Sequence, residues 1–283
     1  MDSFSELTKE QKEDSKLLIA RVEDKLKFVQ TRKRIANTDF LDLAQKKEIE
    51  DYLKQKKIDS YVFYGGFEEA ERTMLLLLPT DVPYDPMLNI DKNYEQIMSI
   101  LRVKLPKELW GSYDHKRYLG ALMKLGIERK KIGDILVKPD GADIIISNDL
   151  KEFLKQNLGE LTRFSKAEIE NLSIKEIHYI APEKKLLKIN VPSMRLDAIV
   201  GELARCSRQD ATRFLEEQRV FVDFKEEIRG TRQIKEGNVI TIRGKGRFYI
   251  TKILALCQEL GWISCKRLVH SIFIPFLRFK SQN

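Results

Sequence analysis

The residues of this sequence best suited to chemistry are cations set beside expected helix starts and glycines. They are Arg195, Arg205, Arg208 and Arg213, then Arg243, Lys245 and Arg247 in the run Arg243-Gly244-Lys245-Gly246-Arg247. Guanidinium and ammonium groups neutralise phosphates, and glycines let a backbone approach one closely. Ser207 offers a side-chain oxygen to the N–H groups of a helix starting at Arg208, and a helix N-terminus itself favours an anion. Asp197 is the most enzyme-like residue of the stretch, yet a first-turn acid also stabilises a helix dipole. A second basic group, His115, Arg117, Lys124, Arg129, Lys130 and Lys131, surrounds another expected helix. His115 has only Asp114 as a neighbouring acid, and His178 and His270 lie at no ligand spacing. It reads as a helix-start histidine that satisfies backbone groups or touches phosphate, which makes His115, Arg117, Arg129 and Lys130 a second candidate phosphate contact.

These side chains need elements to hold them. Leu196, Ile199, Val200 and Leu203 recur at i, i+3, i+4 and i+7, one face of a helix, and leave Arg195 and Arg205 off that face. Ser207, with Asp210 three residues later, marks a second short helix that turns Ala211, Phe214 and Leu215 inward and leaves Arg208 and Arg213 in water. The period then falls to two. Val220 and Val222 alternate with Phe221 and Asp223, and Gly237-Asn238 precedes the β-branched run Val239-Ile240-Thr241-Ile242. Two short helices followed by a small sheet are expected.

That series resembles the S4 RNA-binding module over most of residues 189 to 247: Arg-Leu-Asp, Ser-Arg about a dozen residues on, Ala211 in the second helix, a Val-x-Val strand and Gly237-Asn238-Val239-Ile240. Two departures bear on turn geometry. Gln218 stands where the family has a helix-ending Gly, and Asp223-Phe224 stands where it favours Asn-Gly. The triplet Arg195-Leu196-Asp197 is also similar to the catalytic motif of pseudouridine synthases. Met194 precedes it here, however, and no threonine follows, so Asp197 reads as a structural acid. An RNA-modifying enzyme that uses the S4 part as a docking arm is the alternative.

Upstream, Leu17, Leu18, Val22, Leu26 and Phe28 follow a helical stripe, and Asn37-Thr38 is expected to start a second helix carrying Phe40, Leu41, Ala44, Ile49, Tyr52 and Leu53. Tyr61 to Tyr64, Met74 to Leu78 and Ile97 to Leu105 read as strands, and Pro79, Pro83 and Pro86 place a loop between Pro79 and Asn89. A helix over Leu119, Leu122 and Met123 ends at Gly126. Pro139-Asp140-Gly141 then turns one strand into the next, Leu150 to Leu158 is a helix, and Ile174, Ile177 and Ile180 suggest an edge strand. The stretch His115, Leu119-Gly120-Ala121-Leu122, Leu125-Gly126-Ile127, Arg129 and Gly133 to Val137 resembles the YlmH-like proteins, bacterial S4 proteins with an RRM-like middle domain. Lys116-Arg117 stands where that family often has Arg-Asp. The fold expected is α+β: a helical region over 1–58, a central RRM-like α/β sandwich over 59–182, an S4 module over 187–250, and a hydrophobic and basic extension over 251–283.

Composition is compatible with this. The 283-residue chain carries a net charge of +8, with charged residues at 33% and hydrophobic ones at 42%, which excludes wholesale disorder and suits a polyanionic partner. Cys206, Cys257 and Cys265 have no paired spacing, so neither a disulfide framework nor a metal site is expected, and a reducing compartment fits. Met1 to Glu6 lacks the pattern of a signal peptide, so the expected location is the cytoplasm. Residues 254 to 283 are hydrophobic, but Glu259 and Lys266-Arg267 interrupt any bilayer span. An amphipathic helix packed on the S4 part, an interfacial segment, or an extension outside the family pattern is expected there, with packing on the protein body ahead of a membrane or partner role. With no nucleotide loop or catalytic triad motif, no cofactor and no small-molecule substrate are expected. The family resemblance implies a non-enzymatic protein that binds structured RNA, rRNA or tRNA, on the ribosomal large subunit in quality control of stalled nascent chains. A division-associated interaction protein is a further alternative.

Overall fold

Met74-Leu75-Leu76-Leu77 is apolar at every position because both of its faces are covered. The computed structural model describes residues 9–79, 95–179, 185–256 and 266–274, and these fall into two compact units that divide after Tyr179. In the first unit, strand β3 (Met74–Leu77) lies between β1 (Ala36–Asn37) and β2 (Tyr61–Tyr64) in an antiparallel sheet. Leu75 and Leu77 pack under Val22, Val29, Ile49 and Leu53 of helices α1 (Lys9–Arg32) and α2 (Leu43–Gln55). Met74 and Leu76 face the other way, onto Phe40, Met98, Ile100, Ile145 and Ile174. Leu17 and Phe28, assigned to the helical stripe, are 51% and 45% exposed and lie off the buried line of α1.

Met98, Ile100 and Ile145 belong to a second sheet, ordered β5-β6-β4-β7, with β4 at Met98–Lys104, β5 at Ile132–Lys138, β6 at Gly141–Ser147 and β7 at Glu168–Leu172. Its far face carries Leu101, Val103, Ile144 and Ile146 against Tyr118 and Leu122 of α3 (His115–Lys124), Leu154 of α4 (Lys151–Asn157), and Phe164. The unit is thus layered helix, sheet, sheet, helix. Strand β1 pairs with β3 across position 58, so the segment expected as a separate helical region shares a sheet with the domain expected after it. The β5–β6 turn requires Gly141: a Cβ there would stand 1.8 Å from the Val103 carbonyl oxygen.

Two helix and strand expectations are corrected here. Helix α2 starts at Leu43, because Asp42 and Gln45 form a capping box; Phe40 and Leu41 precede it, with the Phe40 N–H on the Lys130 carbonyl and the Leu41 N–H on that of Thr73. The edge strand is β7, and Ile174 falls in a 3-10 turn capped by Ser173 that buries it under the first sheet; Ile180 lies outside the described residues. Most of the proposed proline loop, over 80–94, also lies outside them.

The second unit is a six-stranded antiparallel sheet ordered β10-β9-β11-β12-β13-β8. In chain order β8 is Lys185–Val191, β9 Val220–Val222, β10 Lys225–Glu226, β11 Val239–Ile242, β12 Gly246–Leu256 and β13 Lys266–Ile274. Helices α5 (Leu196–Ala204) and α6 (Arg208–Glu216) pack Leu196, Ile199, Val200, Leu203, Ala211, Phe214 and Leu215 onto Val220, Val222, Ile240, Ile242 and Phe248 of its inner face. The helix expected after Leu254 is replaced by strand. β12 runs to Leu256, and β13, rich in β-branched residues, pairs with β12 on one side and β8 on the other. Residues 257–265 and 275–283 lie outside the described set. No helix among the described residues is long and apolar enough to cross a membrane.

Candidate nucleic-acid interface

Helix α5 begins without a side-chain cap: the N–H groups of Leu196 and Asp197 donate to the carbonyls of Arg232 (2.9 Å) and Gly230 (3.0 Å). Its first-turn acid, Asp197, is buried and becomes the anchor of two predicted cations. Arg195 donates to both carboxylate oxygens at 3.1 and 2.7 Å, Arg208 donates from α6 at 3.0 Å, and the Ala198 N–H donates at 2.8 Å. These bonds, the Arg195 pair foremost, outweigh burial and hold Asp197 at about pKa 2. Asp197 thus fixes Arg195 and Arg208 on one side of the two-helix layer. The Asp197 side chain is 7% exposed and accepts from all of these donors.

Ser207 caps α6 as the sequence predicts, accepting from the Asp210 N–H at 3.1 Å. Arg213 lies one turn on and bridges Asp210 and Glu217 at 3.1 and 3.7 Å, while its guanidinium stays exposed. Lys245 and Arg213 both act electrostatically on the Cys206 thiol, which places the tip of the β11–β12 hairpin beside the start of α6. In that hairpin Arg243 lies over the Phe221 ring at 4.7 Å and Arg247 over Phe224 at 5.5 Å, and the Arg243 carbonyl accepts from Arg219 at 3.1 Å. Guanidinium groups laid on rings are pre-set in orientation, a geometry that suits contact with anions or bases. Phe221, Phe224 and Arg219 are not among the candidate site residues read from the sequence. Phe221, outward between Val220 and Val222, had the alternation that marks it.

Both turn departures adopt the geometry a glycine would supply. Gln218 has φ +56°, with the Gln218 and Arg219 N–H groups on the carbonyls of Leu215 and Phe214, and Asp223 and Phe224 have φ +52° and +67° in the two-residue β9–β10 turn. The Asp223 carboxylate holds that turn by accepting from Asn238 at 2.7 Å and from the Val239 N–H at 3.0 Å. Arg205 likewise ends α5 at φ +52°, where a non-glycine residue is disfavoured by roughly 1–2 kcal/mol. Arg205→Gly is therefore expected to leave stability unchanged or raise it by up to about 1 kcal/mol in thermal denaturation, since glycine's own entropy cost offsets part of the relief. If Arg205 meets a phosphate, the same variant lowers the salt slope of RNA binding by about one. A destabilised variant with an unaltered slope would remove Arg205 from the interface.

Glu227, 5% exposed, completes the module's ionic base. Burial opposes its ionisation, but hydrogen bonds from Arg229 (3.0 Å) and Arg232 (2.8 Å) prevail and hold it at about 2. Asp197 and Glu227 are both depressed in the folded state, so their stabilisation is full above the unfolded carboxylate pKa and is lost as pH falls through about 2. Each contributes about 2–3 kcal/mol by linkage. Acid titration followed by circular dichroism should show this unit weakening from about pH 4–5 downward, and Asp197→Asn should flatten that limb.

The second basic group is drawn inward. Arg129 donates to the carbonyls of Ile132 (2.7 Å) and Gly133 (3.2 Å), and Arg72 crosses it to reach the carbonyls of Ile132, Phe40 and Arg129. Desolvation, with Arg72 nearby, lowers Arg129 to about 10, and burial lifts Asp134 beneath them to about 6. Desolvation and the Arg129 charge lower His115. Lys130 pairs with Glu128 at 2.7 Å, and Arg117 lies over the Tyr113 ring at 5.2 Å. Of the four predicted residues here, Arg129 is committed to the carbonyls at the start of β5, while His115, Arg117 and Lys130 keep exposed or partly exposed positions.

Comparison with known proteins adds to this geometry. Residues 91–176 match the sequence family described as "Putative RNA-binding domain in YlmH". The chain is 27% identical over 261 residues to "Ribosome-associated protein quality control protein P2" of Bacillus subtilis (strain 168), covering 92% of this chain and 97% of that protein. Among solved structures it is similar to "Cell division protein ylmH from Streptococcus pneumoniae", with a TM-score of 0.44 and 20% identity over 62% of this chain and 98% of that one.

Proposed function

We propose that this chain, which is similar to the YlmH-like proteins, is a non-catalytic RNA clamp acting at the ribosome in quality control of stalled nascent chains. The observation that carries this reading is the juxtaposition at α6: Arg195 and Arg208 fixed on Asp197, a Ser207-capped helix start, and the Arg243–Arg247 hairpin tip beside it. Fixed guanidinium groups, helix N–H groups and close glycine backbone recognise phosphates by their positions, which suits a structured RNA read by shape. The Bacillus relative, named for ribosome-associated quality control and aligned almost end to end, supports the setting. Within it, rRNA or tRNA of the large subunit is the ligand we assign.

Co-sedimentation tests this directly. The full-length protein should travel with large subunits at low salt and be released as salt is raised, because counterion release makes phosphate contacts salt-sensitive. Sedimentation with small subunits alone, or none at low salt, would sink the assignment. Nucleoside mass analysis of the recovered RNA should show no new modified nucleoside.

A further inference from the structure

Where β7 runs beside β4 and helix α4 begins, the first unit has a half-open cleft of about 220 Å³ lined by Met98, Ser99, Asn148, Lys151, Asn171 and Leu172. The Ser99 hydroxyl and the Asn171 side-chain carbonyl oxygen are both enclosed there, and neither has a hydrogen-bond partner among the described residues. Ser99 is only 6% exposed. Leaving such a group unpaired costs about 1–3 kcal/mol, and native structures hold few of them. The sheet does not demand a serine: Ser99 alternates onto the face of Leu101 and Val103, where an apolar residue fits. The Asn171 amide donates to the Lys151 carbonyl at 3.1 Å, which fixes its oxygen as an oriented acceptor. Across the cleft, Ser173 donates to the Glu95 carboxylate at 2.8 Å and Lys175 lies 3.6 Å from it, so that wall is held in place.

We propose that this cleft takes one unpaired nucleotide of an RNA strand. Leu172 supplies apolar contact for a base, Asn171 Oδ1 accepts from the base edge, the Ser99 hydroxyl pairs with an adjacent edge atom, and Lys151 meets a phosphate. Every base carries a donor beside an acceptor on its pairing edge, and unpaired bases are the ones whose edges a protein can reach. The cleft is smaller than the roughly 300–1,000 Å³ of drug-sized sites, which suits one planar base. The strand as its source rests on the RNA-binding reading above; a free mononucleotide has the same chemistry.

The test uses the full-length protein, its Ser99→Ala variant, the four nucleoside 5′-monophosphates and a short unstructured RNA. The Asn171 side-chain amide signal in nuclear magnetic resonance should shift with the RNA, at lower concentration than with any mononucleotide. Ser99→Ala should weaken the short RNA about tenfold, the loss of one hydrogen bond, while its melting temperature stays the same or rises. Response to mononucleotides alone overturns the strand as source. No Asn171 shift, or a lowered melting temperature with unchanged binding, overturns the site and leaves the hydroxyl to water. The Arg208→Ala, Lys245→Ala variant separates the two readings: it should keep the Asn171 response while losing structured RNA, and loss of neither would count against the clamp alone.

Discussion

Asp143→Ala is expected to lower the stability of the first unit by about 3–5 kcal/mol, the cost of breaking a buried ion pair from one side. Asp143 is wholly enclosed in β6, with Arg102 bound bidentately at 2.6 Å to each oxygen and Lys138 at 2.6 Å. Burial alone would raise its pKa, but the two cations prevail and depress it. Its removal leaves two neighbouring cations with their shared anion gone. The urea midpoint should fall with an unchanged slope, and a loss below about 1 kcal/mol, the range of a surface pair, would show that Arg102 and Lys138 find water instead. Replacing all three with apolar residues should recover much of the loss, since the cluster's desolvation cost goes with it.

The second large effect concerns RNA. The Arg208→Ala, Lys245→Ala double variant should bind structured ribosomal RNA or tRNA about 10- to 100-fold more weakly near physiological salt, with the log–log salt slope reduced by about two, one for each lost phosphate contact. Fluorescence anisotropy over a salt series measures both. Arg208 is 63% exposed in its side chain although one nitrogen rests on Asp197, so the variant removes reach without opening a core. Unchanged affinity and slope would take the α6 start and the hairpin out of the interface. Charge lost at Arg213, already paired twice on its own helix, should matter less.

The helix pair of the second unit is legible because its signals are local. A helical stripe at Leu196, Ile199, Val200 and Leu203, and a cap at Ser207, are written within one or two turns of chain, and the helices lie where that periodicity puts them. The α+β class followed for the same reason. What escaped depends on distant partners. Periodicity does not show that Asp42 outcompetes Thr38 as a helix start, because Thr38 is taken by β3 and its hydroxyl accepts from the Leu75 N–H at 3.0 Å. Nor does it show that the run 266–274 becomes a strand, a choice made by two waiting edges separated from each other in sequence. At the basic sites, residue type announced a cation but not its commitments: Arg129 turned inward to carbonyls, while Arg208 stayed at the surface. Gln218, Asp223 and Phe224 adopt positive φ despite lacking glycine's freedom, because the surrounding hydrogen bonds determine the turns.

The place of β13 between β12 and β8 has a consequence for the order of events during synthesis. A chain made from its N-terminus produces Lys185–Val191 well before Lys266–Ile274, the strand that joins it to the rest of the sheet. Closing so distant a pair is entropically slow, and until it closes both β8 and the flank of β12 present unpaired edges open to the wrong neighbour. The helices and the β9–β12 meander can assemble meanwhile from local contacts. The sheet beneath the Arg243–Arg247 hairpin is therefore finished only when Lys266–Ile274 arrives, which makes that strand a timing element of biogenesis as well as a packing one.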